Sequence, residues 1–105
     1  KQLALASNYT VFGENSFKNS DFEIMSAGIN PDEEGTELTK ELTDNVDEIF
    51  AMDSEIVRAI IRDYNPKRSK ITNLNIPDIY LRNNPELVRI LRFILPKYLS
   101  HKRPG

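Results

Sequence analysis

The sequence predicts an α/β domain in which a parallel sheet is covered by helices on both faces. Four short segments rich in apolar residues have the length of buried strands, and they are centred near Leu3, Ile24, Ile49 and Leu74. Segments with helix-start signals or helical spacing follow the second, third and fourth of them, and this alternation is typical of parallel sheets joined by helical crossovers. With 105 residues and 39% hydrophobic content, the chain is expected to form one domain over residues 1–105.

The first two strands are predicted from runs of different character. Residues 3–6 form a continuous apolar run, which is typical of a strand buried on both faces. Residues 8–17 mix a glycine, polar residues and two phenylalanines, and their spacing leaves the conformation open. The second strand is predicted over residues 22–25, and the small residues Ser26-Ala27-Gly28 are expected to turn the chain sharply at its end.

The middle of the chain predicts a short helix between two strands, and a fourth strand further on. The helix is expected over residues 37–43, with Thr36 as its N-cap and Thr39 as the alternative cap. The third strand is predicted over residues 46–52, which carry Ile49 and Phe50, and the fourth over residues 70–76, in which Ile71, Leu74 and Ile76 are apolar.

The two longest helices carry clear start signals. Asp53 is expected to cap a helix that ends at Asn65-Pro66, because the residue before a proline avoids the helical conformation. Asn84-Pro85-Glu86 supplies a cap, a proline at the first helical position and an acid in the first turn. This last helix is predicted to run to about Leu95 and to resume after Pro96.

Three short motifs follow one another along the chain, namely Ser26-Ala27-Gly28, Asp47-Glu48-Ile49-Phe50-Ala51-Met52 and Ile76-Pro77-Asp78-Ile79-Tyr80. Their order and spacing resemble the low-molecular-weight protein tyrosine phosphatases, especially a short bacterial and phage-borne form of that family. The resemblance covers most of the chain from Phe22 onward and is weak before that residue. It implies the strand order 2-1-3-4 in a four-stranded parallel sheet with helices on both faces.

In that family, the loop after the first strand has the form cysteine, five residues, arginine, serine. Its backbone N–H groups hold a phosphate, its arginine binds the phosphate oxygens, and its cysteine attacks as a thiolate. This sequence has no cysteine, and its first arginine is Arg58. The resemblance places the nucleophile at about Ala6 and the arginine at about Phe12 or Gly13. It therefore implies a phosphatase scaffold that has lost both essential groups.

Two polar residues remain at the start of that loop. Ser7 and Asn8 are candidate ligand-binding residues, since a hydroxyl and an amide can both contact an anion. The Ser7 hydroxyl is also a candidate replacement nucleophile. No histidine or lysine lies beside it in sequence to act as its base, so a turn or cap role is favoured.

The resemblance also implies roles for two residues after the fourth strand. Asp78 matches the family's general acid, which protonates the leaving phenolate, and Tyr80 matches the aromatic residue that lines the substrate cleft. The proline precedes the aspartate, as in the short form of the family. The alternative is that Asp78 caps a turn and Tyr80 packs on the last helix, and this is favoured when the nucleophile is absent.

The charges are unevenly distributed along the chain. Residues 19–57 contain twelve acidic residues and one base, whereas residues 58–105 contain eleven bases and three acids. The two halves are expected to attract each other as solvated helix faces. The alternative is a basic surface for an acidic protein or a second copy of the chain, formed if the second and last helices share one face of the sheet and align Arg58, Arg62, Arg89 and Arg92.

A nucleic-acid partner is a weaker alternative, because no recognisable motif accompanies the basic residues and few aromatic residues lie among them. Those residues are Arg58, Arg62, Lys67, Arg68, Lys70, Arg89 and Arg92.

Two functions from different classes follow from these observations. The first is a non-catalytic binding or regulatory module, with phosphate or phosphotyrosine as a weak ligand. The second is an active phosphomonoester hydrolase with a rewired nucleophile. No cofactor is predicted, and the single histidine, His101, excludes a multi-histidine metal site. No apolar run is long enough to span a membrane, so a cytoplasmic location is the default expectation.

Overall fold

A computed structural model describes residues 2–8, 23–29, 37–77 and 84–101. The described elements follow in the order β1 (Gln2–Ser7), β2 (Glu23–Gly28), α1 (Lys40–Asn45), β3 (Glu48–Ala51), α2 (Ser54–Tyr64), a 3₁₀ turn (Arg68–Lys70), β4 (Ile71–Asn73) and α3 (Pro85–His101). In the described part of the chain, no helix combines the length and the apolar character that crossing a membrane would require.

The four strands form one parallel sheet in the order β2-β1-β3-β4. The central strand β1 pairs with β2 from Gln2 opposite Glu23 and with β3 from Leu3 opposite Glu48. The predicted fold class and strand order are therefore confirmed. The unassigned stretch 8–17 lies outside the described residues beyond Asn8.

Alternation along the strands divides the core into two halves, one on each face of the sheet. On one face Leu5 and Phe50 pack with the apolar stripe of α3, which consists of Leu87, Leu91 and Leu95. On the other face Ala4 and Ile49 pack with residues of α2 and with residues that flank α1, namely Ile56, Ile60, Leu38 and Val46. The four strand residues expected to be inaccessible are buried, since Leu5, Ile24, Phe50 and Leu74 are exposed by 9% or less.

The placement of α2 and α3 on opposite faces corrects one expectation. The basic strip required both helices on one face, but Ile56 of α2 and Leu91 of α3 belong to different halves of the core. The arginines of the two helices therefore lie on opposite sides of the molecule. The prediction of a strip across both helices is wrong, because consecutive strand residues point to opposite faces of the sheet. Each face therefore needs its own helix to cover it.

Several predicted boundaries are also corrected. Strand β2 continues through Gly28, because residues 26–28 pair with β1 as part of the ladder. Helix α1 begins after Thr39, whose Oγ1 accepts a hydrogen bond from the Leu42 N–H at 3.1 Å. Thr36 is therefore not the cap, and the predicted alternative is correct. Strands β3 and β4 are shorter than predicted.

Helix α3 is continuous, whereas the sequence predicted a break at Pro96. Pro96 lies on the exposed side of the helix, next to the buried Leu95. A proline inside a helix removes one backbone hydrogen bond and favours a kink. The apolar stripe on the opposite side keeps the helix on the sheet across this position.

The predicted caps of the longer helices are confirmed. Asp53 Oδ1 accepts from the Ile56 N–H at 3.0 Å, and Asn84 Oδ1 accepts from the Glu86 N–H at 2.8 Å. At the C-terminus of α2, Asn65 adopts the left-handed conformation with φ 47° and ψ 50°. Its N–H donates to carbonyls in the last turn of α2, which satisfies groups that the helix leaves unpaired.

A local irregularity follows β4. The Leu74 N–H donates to the Ala51 carbonyl at 2.8 Å, and the Ile76 N–H donates to the Met52 carbonyl at 2.8 Å. The donors Leu74 and Ile76 have one residue between them, whereas the acceptors Ala51 and Met52 are adjacent, so that one residue is extra on the β4 side. Asn75 is that residue, with φ 56°, and its N–H donates to Asn73 Oδ1 at 2.9 Å. The arrangement is a bulge, which redirects the chain as it leaves the sheet.

A long-range contact fixes the connection that enters α1. The Tyr64 hydroxyl donates to the Leu38 carbonyl at 2.5 Å. Burial, with the nearby negative charges of Asp63 and Glu37 as smaller causes, raises the pKa of Tyr64. The end of α2 is thereby tied to the segment between β2 and α1.

The bulge generates a stability prediction. Asn75→Ala is expected to lower the free energy of unfolding by about 1 kcal/mol, because a residue with a Cβ and no local hydrogen-bonding side chain disfavours the left-handed conformation. Asn75→Gly is expected to be at least as stable as Asn75→Ala. Urea unfolding measures both variants.

The matched control is the exposed helical position Arg58 in α2, where alanine is expected to be more stable than glycine by about 1 kcal/mol. If alanine is also the more stable substitution at Asn75, the left-handed conformation does not limit stability there.

The Tyr64 contact generates a prediction with a pH dependence. Tyr64→Phe is expected to lower the free energy of unfolding by about 1 kcal/mol at neutral pH, since one hydrogen bond is lost. The pKa of Tyr64 is higher in the folded protein than in the unfolded chain. The stabilisation by its protonated hydroxyl is therefore fully present below the unfolded pKa of about 10, and it is lost as pH rises through the folded pKa. The variant should therefore lose less stability than the wild type above about pH 10.

Tyr98→Phe serves as the control, because it also deletes a hydroxyl while keeping the edge-to-face ring contact with Phe50. An equal effect of both substitutions on the alkaline limb of the unfolding curve would contradict the assignment to Tyr64.

Candidate functional site

The carboxyl ends of the strands form the candidate site. We use the term carboxyl edge for the ends of the four strands at Ser7, Gly28, Ala51 and Asn73. In open parallel sheets, ligands bind outside this edge, where loops leave the strands. The edge contains both polar residues that the sequence predicted for the first loop, Ser7 and Asn8.

Ser7 is the last residue of β1 and is fully buried. It lies opposite Gly28 in the register, and its carbonyl accepts from the Ile29 N–H at 2.9 Å. Because Leu3 and Leu5 face α3, strand alternation directs the Ser7 side chain to the same face. Asn8 follows directly and is half-buried.

Ala6 is a core residue. Its side chain is fully buried in the cluster that contains Ala27 and Ile56, on the face opposite to α3. Its carbonyl accepts from the Met52 N–H at 3.0 Å. The resemblance placed the nucleophile at about Ala6, but β1 extends one residue further. Ser7 therefore occupies the end of the strand.

The segment that leads to the predicted general acid is attached to the same edge. Met52 bonds to the end of β1 through its N–H and to the Ile76 N–H through its carbonyl. Asp78 and Tyr80 lie outside the described residues, which reach Pro77 in this segment. Their predicted roles stay predictions.

Phe50 and Met52 illustrate the division between core and site. Both are fully buried, in the cluster that packs on α3, as the sequence favoured. Ser26 is also buried, and Ala27 belongs to the opposite half of the core. These residues shape the sheet beneath the carboxyl edge, and Ser7 is buried as completely as Phe50 and Met52.

The perturbed titratable groups of the described ranges lie on α2. The hydrogen bond from the Arg62 Nε to Asp63 Oδ1, at 2.9 Å, lowers the pKa of Asp63 and raises that of Arg62. Both side chains are exposed, so this pair is a surface contact of small energetic value. Within the described ranges, no three histidine, cysteine, aspartate or glutamate side chains are grouped to hold a metal ion.

The bulge at Asn75 is the feature of this edge that sequence reasoning missed. The sequence predicts that Asn75 lies inside a strand over residues 70–76, whereas β4 ends at Asn73. The signal was the pair of asparagines at 73 and 75, because asparagine side chains bond to nearby backbone and tolerate a positive φ. The bulge determines the direction in which the chain leaves towards Asp78.

The fold is that of the low-molecular-weight protein tyrosine phosphatases, as comparison with solved structures shows. A low-molecular-weight protein tyrosine phosphatase from Bacillus subtilis superposes with a TM-score of 0.71 at 15% identity, over 99% of this chain and 100% of that one. The tyrosine phosphatase Wzb from Escherichia coli, solved with sulphate, gives 0.68 at 16% identity, over 95% and 96%.

A third structure is a mutant of the arginine phosphatase YwlE with a phosphorylated active-site serine. It superposes with a TM-score of 0.69 at 15% identity, over 98% of each chain. No family model and no curated protein matches the sequence. At these identities the comparison shows a shared fold over nearly the whole chain, and the fold alone does not determine activity.

Proposed function

We propose that this protein is a catalytically degenerate relative of the low-molecular-weight tyrosine phosphatases that acts as a binding or regulatory module in the cytoplasm. The observation that carries the proposal is chemical. The 105 residues contain no cysteine, and no arginine precedes Arg58, although the fold is kept.

The missing groups supply most of the chemistry of such an enzyme. A thiolate is a far stronger nucleophile at neutral pH than a hydroxyl without a base, because its pKa lies much closer to 7. A guanidinium binds the transferring phosphoryl group in bidentate fashion and stabilises its charge. Loss of one donor that stabilises the charge of the transition state commonly costs about 10²–10³ in rate, and here the nucleophilic thiolate is absent as well.

The carboxyl edge retains features of a binding site. Ser7 and Asn8 remain at the end of the central strand, and the segment leading to Tyr80 is attached beside them. Residues 8–13, where the family resemblance places the phosphate loop, contain no arginine or lysine, so this segment supplies no cationic side chain to a phosphate. The ligand of this edge is therefore a weakly bound phosphate or phosphotyrosine.

An active enzyme is the second candidate, and one observation favours it. Ser7 ends β1, and a solved structure of the same fold, a mutant arginine phosphatase, has an active-site serine that is phosphorylated. A serine in this fold can thus carry a phosphoryl group. In this candidate, the Ser7 Oγ bonds to phosphorus as the bond from phosphorus to the phenolate breaks. The Ser7 hydroxyl proton passes to a phosphate oxygen, and the phenolate takes a proton from Asp78. The Asp78 carboxylate then takes a proton from the water that attacks phosphorus, and phosphate leaves as the Ser7 oxygen regains its proton.

Turnover of an aryl phosphate separates the two candidates. The purified protein is expected to release no more phenolate than the heat-treated protein, because neither a thiolate nor a nearby guanidinium is present. The Ser7→Ala variant is expected to give the same rate as the wild type. A wild-type rate that Ser7→Ala and Asp78→Asn both abolish would contradict the proposal and establish the enzyme.

A second experiment restores the missing groups. The double variant Ser7→Cys with Gly13→Arg has the family's spacing of five residues between cysteine and arginine. We expect a gain of at least about tenfold in aryl phosphate hydrolysis over each single variant, since the two groups act on the same phosphoryl group. Circular dichroism of all three variants checks that the fold is kept.

Ligand binding at the carboxyl edge is tested independently of activity. Phosphotyrosine is expected to bind with a dissociation constant of about 1 mM, which corresponds to only about 4 kcal/mol. Chemical shift changes should be centred on residues 7, 8 and 28–29. Asn8→Ala should weaken binding, while Lys67→Ala, on the surface beyond α2, should not.

A further inference from the structure

The exposed side of α3 carries an unusual combination of residues. Phe93 is 65% exposed, and the Lys97 Nζ lies 3.9 Å from the centre of its ring. Arg89 lies one helical turn before Phe93, and Arg92 lies one turn before Pro96, so that these exposed residues and Lys97 share one side of the helix. We call these five residues the α3 surface.

The α3 surface combines the residue types that protein interfaces favour. Aromatic and arginine side chains are enriched at interface centres, where an aromatic ring supplies apolar area at little entropic cost. Three of the five residues are cations, and the Oε2 of the neighbouring Glu86 lies 3.4 Å from Arg89 Nη1. An acidic partner would complement the charge of these three cations.

The same chain has an acidic surface on the other side of the sheet. Glu37, Glu41, Asp44 and Asp47 are exposed in and around α1, and we call them the α1 surface. Lys40 offsets part of this charge through its contact with Asp44 at 3.4 Å. The Lys70 Nζ binds the carbonyls of Thr43 and Asp44 at the end of α1. Four carboxylates thus outnumber two lysines.

We propose that the α3 surface of one copy docks on the α1 surface of a second copy. The two surfaces are complementary in charge, and they belong to opposite faces of the sheet because α3 covers one half of the core and α1 flanks the other. A contact between them is therefore heterologous. Each copy keeps one free α3 surface and one free α1 surface, so that assembly continues into chains or closes into rings.

This proposal is independent of the carboxyl edge and of the proposed function. It replaces the basic strip across two helices with a surface confined to α3. Arg58 and Arg62 of α2 lie on the same side of the sheet as the α1 surface and take no part in it.

Sedimentation equilibrium of the whole chain tests the contact. A single helix side makes a small interface, below about 1,200 Å², so that protein concentrations of about 0.1–1 mM are needed. In about 0.01 M salt, where the Debye length is about 30 Å, the average mass should rise with concentration without a limit at the dimer. In about 1 M salt it should return to the monomer mass of 12.1 kDa.

Charge reversal identifies the surfaces. Variant A carries Arg89→Glu and Arg92→Glu, and variant B carries Glu41→Lys and Asp44→Lys. Each is expected to stay monomeric alone, because its two surfaces now have the same sign. An equimolar mixture should associate again at low salt, since every contact between A and B joins opposite charges. All substituted residues are exposed, and circular dichroism confirms folding.

The matched control reverses two arginines elsewhere. Arg58→Glu with Arg62→Glu changes the net charge by the same amount as variant A but should leave association intact. Phe93→Ala should weaken association several-fold without abolishing its salt dependence.

Three outcomes would overturn the proposal. They are a wild type that stays at the monomer mass in low salt, variants A and B that associate as the wild type does, and a mixture of A and B that stays monomeric. A monomeric wild type that binds anionic vesicles or duplex DNA would assign the α3 surface to those polyanions instead.

Discussion

The structure depends on the burial of β1 on both faces. Leu3 and Leu5 point to α3, whereas Ala4 and Ala6 point to the opposite helices, and all four are almost completely buried. The two faces have different requirements. Small alanines on one side let Ile56 and Ile60 of α2 approach the sheet, while leucines on the other side meet the leucine stripe of α3. A one-residue shift of β1 would exchange these side chains and disrupt both halves of the core.

This division of the core explains how the fold can persist without a cysteine and without an arginine before Arg58. The family resemblance places those two residues after β1, whereas the packing that holds the sheet ends at Ala6 and Ser7. Ala6 lies inside one core cluster, and Ser7 continues the ladder opposite Gly28. A cysteine or an arginine beyond that point contributes to phosphate binding more than to burial. Its loss therefore costs activity before it costs stability.

Most of the fold could be predicted from the sequence, because it follows from local signals that act together. Asp53 and Asn84 are helix caps whose side chains serve the neighbouring backbone, and the strands carry apolar runs of suitable length. The strand order came from the family resemblance, since no local pattern determines which strands are neighbours. The choice between Thr36 and Thr39 could not be made locally, because both residues can cap a helix. The end of β2 and the bulge at Asn75 depend on pairing with distant strands.

The candidate site was less predictable, because its position also depends on pairing between distant strands. The family resemblance placed the nucleophile at about Ala6. The pairing of Ser7 with Gly28 of β2 extends β1 by one residue, so that the strand ends at Ser7. Likewise, the sequence predicted one basic strip across α2 and α3 on a single face of the sheet. The two helices instead cover opposite halves of the core.

The position of β1 also has a consequence for how a growing chain folds. The strand at the centre of the sheet precedes both of its neighbours in sequence, and its partners begin at Glu23 on one side and Glu48 on the other. During synthesis, β1 therefore leaves the ribosome with two unpaired edges, and one edge stays open until β3 has emerged. Pairing over such distances is slow compared with helix formation. Unpaired apolar edges are also common starting points of aggregation. The strand β1, which is buried on both faces in the folded protein, is therefore exposed to aggregation while the chain is being synthesised.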